Sequence, residues 1–461
     1  FGQSSGSVLN NNIITVGNSS SESKLRVGMF TNDQGVTLTN NGTINGGTYS
    51  YNIYGKNVTL GGTSVLNVGD GGVGVFSTAD VNASPNIDIQ AGATFNVGNN
   101  EAVGVFVENT PNGVTINDAG STMTIGNNSF GYVLKGTNTT FNNTAPSTVA
   151  LGDSAVYLYS NDAAANITSR ANLTSSGDST YGIYSAGTVN NYGNMNFAAG
   201  TGNVGIYSTN GGNATNYGTI TVGGTDLVAK EYGIGMATGY YNETTGAISN
   251  EGLIENRGTI NVGKDNSIGM YAVGAGSKAI NHGTIDISGK NATGMYIDQG
   301  AEGVNYGTIK STGTASGIKG VATVNGGYIK NYGTINVTGT GSYGIVTDGS
   351  RFIVDANGNP TEVLSTSDSR YLTSAAKTAG QTNGQGGTDL YGGTESSIEE
   401  GTTGNPKTTG VGTTITAPDI VPITKISVDG VDTPIFNVES DAATPGSWAQ
   451  NITVTSLSLI H

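Results

Sequence analysis

Two short segments carry the residue types of an acyl-transfer nucleophile, Gly152-Asp153-Ser154 and Gly177-Asp178-Ser179. A serine attacks only when a neighbouring base removes its proton, and histidine is the usual base. The chain has two His: His282 lies inside a repeated motif, and His461 is the last residue. Neither belongs to a dedicated site. Each Gly-Asp-Ser segment precedes a strand-like run, as Gly263-Lys264-Asp265-Asn266-Ser267 does, so turn chemistry accounts for all three. Polysaccharide cleavage needs clustered carboxylates with Arg or a second acid; the five Arg are dispersed and the acids scatter through turns. Gly69-Asp70-Gly71-Gly72 matches part of a calcium-binding nonapeptide, but that motif builds a site only by recurring about every nine residues, and here it does not. No catalytic residue, metal or cofactor is expected, and the chain does not read as an enzyme.

What these segments punctuate is a repeat. Gly followed by an apolar residue and then usually an aromatic recurs at Gly28, Gly74, Gly104, Gly182, Gly205, Gly269 and Gly294, with weaker copies starting at Asn52, Gly131, Ala155, Gly233, Gly317 and Gly344. The mean interval is about 26 residues. Interleaved with it is Asn-x-Gly-Thr-Ile, at Asn40, Asn216, Asn256, Asn281, Asn305 and Asn331, with a looser copy at Asn191. Its glycines, Gly193, Gly218, Gly258, Gly283, Gly307 and Gly333, keep the same period except for an insertion around residues 240–254. Short alternating runs of β-branched residues between Gly and Asn give strands, and no run has helical spacing. One coil of strands cannot bury its apolar face, so coils must stack in parallel. The fold class is therefore all-β, a parallel β-helix with two or three strands per coil over residues 1–350. A propeller would need blades of about 40 residues or more.

Alternation assigns the faces. In Asn331-Tyr332-Gly333-Thr334-Ile335-Asn336-Val337, Ile335 and Val337 name the inner face, and Asn331 shares it. The row Asn191, Asn216, Asn256, Asn281, Asn305, Asn331 is expected to stack at a corner, each amide bonding its neighbour one coil away and tolerating a left-handed backbone. In the other motif the residue after Gly is expected inside. The next row is expected outside: Phe30, Tyr54, Phe76, Phe106, Tyr157, Tyr184, Tyr207, Tyr271 and Tyr296, because Gly235 and Lys319 interrupt it and a dry core would not accept an unpaired Lys. A second outer row occupies the middle of Asn-x-Gly: Tyr192, Tyr217, Arg257, His282, Tyr306 and Tyr332. Stacked surface rings can simply stabilise a long sheet; they also offer contact area to a partner at low entropy cost.

Charge and composition narrow the partners. With 18 Lys plus Arg against 33 Asp plus Glu, the net charge is −15, which argues against nucleic acid. Cysteine is absent, so there is neither disulfide scaffold nor thiolate metal site, a composition compatible with secretion of an unfolded chain. No run reaches the roughly 18 apolar residues of a membrane helix. After residue 350 asparagine thins out; 351–414 reads as a Ser/Thr/Gly-rich excursion or linker with acids at Glu395, Glu399 and Glu400, and 415–461 reads as resumed strands that continue the stack.

The Asn-x-Gly-Thr-Ile and Gly-Ile-Tyr repeats in a Cys-free, acidic, Gly- and Asn-rich chain resemble the passenger region of type V autotransporters, and most closely the large outer-membrane adhesins of fusobacteria, a group that includes the arginine-inhibitable and galactose-sensitive adhesins. The resemblance implies a rod held on the bacterial surface by a C-terminal β-barrel absent from this sequence. It implies attachment to proteins or glycans on other bacteria or host cells. The alternative is a non-binding stalk of a larger adhesin. The candidate partner-binding residues are Tyr184, Tyr207, Tyr271 and Tyr296, the second row Tyr192, Tyr217, Tyr306 and Tyr332, and the acids Glu395, Glu399 and Glu400.

Overall fold

The computed structural model describes residues 5–347, apart from 20–24, 80–83, 109, 243, 340 and 341, together with the strands Arg351–Val354, Pro360–Leu364 and Thr388–Leu390. Throughout this range the chain is all-β. It forms parallel β-helical coils of three strands each in two compact units that divide at Asn194 and Met195.

One coil of the second unit shows how the sequence builds the rest. Lys278–Asn281 is the first strand; two residues turn the corner; Thr284–Ile287 is the second strand; a five-residue turn leads to the third, Thr293–Asp298. Alternation in Thr284-Ile285-Asp286-Ile287 buries both isoleucines and leaves Thr284 and Asp286 half-buried on the outside. The next coils repeat this in register, so Ile260, Ile285, Ile309 and Ile335 form one fully buried column, each strand pairing in parallel with the last. Seven third strands, from Val27–Phe30 to Tyr181–Ser185, belong to the first unit and six, from Val204–Ser208 to Tyr343–Thr347, to the second. Glycine in Asn-x-Gly is required by proximity: a Cβ on Gly283 would meet the carbonyl oxygen of Gly258 one coil away, and one on Gly307 would meet that of Gly283.

The asparagine row forms the expected ladder. In the second unit the Asn216 amide donates to the Asn256 carbonyl at 3.0 Å, Asn256 to Asn281 and Asn281 to Asn305 at 2.9 Å, and Asn305 to Asn331 at 2.8 Å. The same amide nitrogens reach the carbonyl of the Gly two residues on, at 2.9 Å in Asn216 and 3.3 Å in Asn281, which fixes the corner. Left-handed backbone is not a property of this row. It falls in the turns, on Asn128, Ser154, Ser179, Asn266 and Asn291 between second and third strands and on Asn138, Asn210, Asn250, Gln299 and Asn325 between third and first strands. In the first unit the column is mixed: Asn10, Asn40, Leu60, Ile89, Asp118, Asn143, Ser169 and Asn191 pair in register.

The aromatic row of the third strands is not where alternation put it. Tyr54, Phe76, Phe106, Tyr184, Tyr207, Tyr271 and Tyr296 are all buried, and of the residues assigned to that row only Phe30 is half-exposed. The cause is a slip of phase in three coils. Tyr157 pairs within the glycine column, and Tyr159 stands opposite Tyr184, their rings stacked at 5.3 Å. Gly235, not Gly233, aligns with Gly269, and Gly320, not Gly317, aligns with Gly294. In true register the row contains Tyr159, Ala237 and Ala322 where Tyr157, Gly235 and Lys319 had been placed. Without a misplaced charge the row is compatible with burial, and residues on both faces of these strands are buried. The residue after Gly is inside as expected, from Met29 to Ile345.

This burial has a consequence at high pH. Burial pushes the Tyr159 phenol up to about 12, and Tyr51, Tyr132 and Tyr157 rise well above the usual value, first from burial and then from nearby charge. Unfolded, such phenols ionise near 10. The folded chain therefore holds more protons between pH 10 and about 12, and stability is intact below pH 10 and falls as pH climbs through that window. Alkaline unfolding followed by circular dichroism, with phenolate absorbance read in parallel, should show the Tyr159→Phe variant losing less stability across this window than the parent.

The excursion 351–414 and the strands 415–461 lie almost wholly outside the described residues, as do Glu395, Glu399, Glu400 and Trp448. Within that range, Arg351–Val354 pairs antiparallel with Pro360–Leu364, and Thr388–Leu390 pairs antiparallel with Tyr328–Asn331.

Candidate functional site

The second outer row survives as a surface feature. At the corners of Asn191, Asn216, Asn256, Asn281 and Asn331 the Asn amide holds the carbonyl of the Gly two residues on, so the residue between them is turned outward. Coils repeat about every 4.8 Å. Side chains projected from successive corners must therefore stack, and they do: the His282 ring lies 4.8 Å from Tyr306 at 12°, and Tyr306 lies 5.2 Å from Tyr332 at 14°. Tyr192, Tyr217 and Tyr306 are exposed, Tyr306 by 49%, and Tyr332 is half-buried. At this spacing neighbouring rings cover each other's faces, so ring edges and phenol hydroxyls are what the row presents outward.

Charge is built in beside the rings. The Glu255 carboxylate, on the outer side of a first strand, lies 2.7 Å from the Arg257 guanidinium and 3.3 Å from His282 Nε2. Glu302 lies between two ammonium groups, Lys278 at 3.3 Å and Lys330 at 3.1 Å, and Lys310 reaches Asp286 at 3.2 Å. In the first unit the Arg170 guanidinium sits 5.0 Å over the Tyr192 ring, within reach of a cation–π attraction. Arg170 and Glu255 are contacts that motif reading missed. Ser169-Arg170-Ala171 has neither Asn nor Gly, and only the coil period, which pairs Ser169 with Asn191, brings Arg170 into the row.

Of the candidate residues, then, Tyr192, Tyr217, Tyr306 and Tyr332 lie on the outer face, whereas Tyr184, Tyr207, Tyr271 and Tyr296 are buried and present no surface to a partner. Glu395, Glu399 and Glu400 fall outside the described residues. The Gly-Asp-Ser segments are turns: Ser154 and Ser179 have φ of 52° and 54°, and the Asp153 carboxylate accepts the backbone N–H of Asp178 at 3.1 Å. They belong to a second ladder in the first unit, in which Asp70, Asn99, Asn127 and Asp153 each accept the N–H of the next member at 2.8–3.1 Å. Its signal was legible as Gly-Asp or Gly-Asn recurring once per coil, from Gly69-Asp70 to Gly177-Asp178. Among the described residues no group of three or more His, Asp or Glu is arranged to hold a metal ion.

Three-stranded parallel coils with an asparagine ladder at one corner define a parallel β-helix. The chain belongs to the family of the third pectate lyase-like domain of BigA, a bacterial surface protein, whose model matches residues 1–307. No curated protein and no solved structure matches the chain.

Proposed function

We propose that this chain is the adhesive segment of an autotransporter passenger, exported through a C-terminal β-barrel and displayed on the outer membrane, where it attaches the cell to proteins or glycans of other bacteria or of a host. The resemblance of its repeats to those of the large fusobacterial adhesins supports this reading. The observation that carries the adhesive reading is the set of outward corner rings: Tyr192 beside Arg170 in the first unit, and in the second unit Tyr217, Tyr306 and the half-buried Tyr332 over an asparagine ladder, in one row with Arg257 and His282. Aromatic edges with hydroxyls bind at little entropic cost because the rings are already fixed. Membership of a bacterial surface protein family supports the same reading.

A glycan array and a panel of bacterial and epithelial cells, probed with the purified chain, test this. Parent binding is expected, with loss of at least tenfold in affinity when Tyr192, Tyr217, Tyr306 and Tyr332 are all changed to Ser and the melting temperature confirms an intact fold. Full binding by that variant would move the site elsewhere; no binding by the parent would make the row a stabilising ladder on a stalk.

A further inference from the structure

One coil of the second unit differs from every neighbour at both ends of its third strand, Ile234–Thr238. Between its second and third strands the chain takes residues 222–233, where the next coil needs only 263–267; between its third and first strands it takes residues 239–252, where the next coil needs only 274–277. The additions are ordered. Asp226 and Glu231 exchange backbone hydrogen bonds at 2.8 and 2.9 Å, and the Asp226 carboxylate accepts the N–H groups of Val228 and Ala229 at 2.7 and 3.1 Å. The other is a hairpin in which Tyr240–Tyr241 pairs with Ile248–Ser249. Its tip is capped in the same way: the Asn242 side chain accepts the N–H groups of Thr244 and Thr245, each at 3.0 Å. The five residues of the intervening strand set the two projections about 17 Å apart.

The first tip is apolar and outward. Val228 is 96% exposed and Leu227 53%, the largest exposures among the large hydrophobic side chains of this unit. Two aliphatic residues on a fixed turn, at the end of a projection the scaffold does not need, lose no packing by being there and gain none. Asp226 and Glu231 close the base of the turn, with Lys230 between them. We infer that the Thr225–Tyr232 projection is a recognition knob for a protein partner, inserting Leu227 and Val228 into an apolar socket with a basic rim. The acids at its base and the chain's net charge of −15 select that rim and oppose docking on an anionic membrane. A glycan is disfavoured because the tip offers no aromatic face and no side-chain hydrogen-bond donor besides Lys230.

The site is distinct from the tyrosine row, so separate variants distinguish the failure of one reading from the failure of the other. The labelled chain is incubated with bacterial and epithelial cells left intact, shaved with trypsin, or oxidised with periodate, and with phosphatidylserine-containing vesicles. Saturable binding to intact cells is expected to vanish on shaving, survive periodate, weaken with added salt, and fall at least tenfold in the Leu227→Ser/Val228→Asp variant. The exposure of both residues means the variant should keep the parent's melting temperature. The tyrosine-row variant supplies the control for the other site. The inference is overturned by parent-like binding of the Leu227/Val228 variant. It is also overturned by periodate-sensitive, trypsin-resistant binding, by vesicle binding, by absence of cell binding in the parent, or by self-association that the variant abolishes, which would assign the knob to a second copy of the chain.

Discussion

Changing Ile285 to Asp is expected to lower stability by about 4 kcal/mol or more and to broaden unfolding of the second unit. Ile285 is fully buried between Ile260 and Ile309 in one column of identical side chains, and a Cβ on Gly269 would meet its γ-methyl at 3.0 Å, so there is no room for solvent to follow the charge in. Among the described residues no cation is paired into that column: the ion pair on the same strand, Asp286 with Lys310, is on the opposite side of the sheet. The effect should spread beyond one coil, since coils are stabilised by their neighbours. Replacement by Val removes one methylene and should cost only about 1 kcal/mol. Urea unfolding of the parent and the two variants measures both values; equal losses for Asp and Val would mean that Ile285 is not in a dry core.

How much of this was legible in the residues depended on whether a position's role was enforced by its own chemistry or by its register. Asn281 announces itself: only an amide can donate to the next coil and to the Gly283 carbonyl at once, so the corner, the ladder and the inner face follow from Asn-x-Gly-Thr-Ile alone. The number of strands per coil needed the structure, because the two-residue corner gives no break in the apolar alternation that sequence can count. The third strand misled because glycine has no side chain to name its face. At Gly233, Gly235, Gly317 and Gly320 two choices of phase fit equally well in sequence, and the wrong choice put Lys319 and Gly235 into a row that in fact holds alanines. Once a charged residue is misplaced into it, an apolar row reads as surface. The outer row at the corner escaped this error because its phase was tied to the asparagine beside it. The knob at Leu227 and Val228 was invisible for a different reason: it obeys no period, and only exposure distinguishes two aliphatic residues in a turn from two in a strand.

The corner column of the first unit carries one acid, and removing it should be costly. Asp118 is fully buried. One carboxyl oxygen accepts the N–H groups of Gly120 and Ser121 at 3.0 and 2.9 Å; the other accepts the hydroxyls of Ser121 and Ser147 at 2.8 Å and of Tyr132 at 3.1 Å. Its charge also contributes to the raised values of the Tyr132 and Tyr157 phenols, after burial itself. Asp118→Ala takes the acceptor from five donors, four of them in buried hydrogen bonds, and the expected loss is about 3–5 kcal/mol. Asp118→Asn is different. Its carbonyl can keep the two backbone N–H groups, and serine hydroxyls turn to accept from its amide, as Ser147 already does from Asn143 at 2.9 Å. It restores the residue type found at Asn143 and Asn191 in the same column, so a loss of about 1–2 kcal/mol is expected. Ser147→Ala in the Asp118→Ala background should add little, because the bond they shared is already gone, whereas in the parent it should cost about 1–3 kcal/mol. Thermal and urea unfolding of this double-mutant cycle decides the matter: additive losses would show that Asp118 and Ser147 act independently, and equal losses for Ala and Asn would show that the acid is a tolerated substitution rather than the centre of the corner.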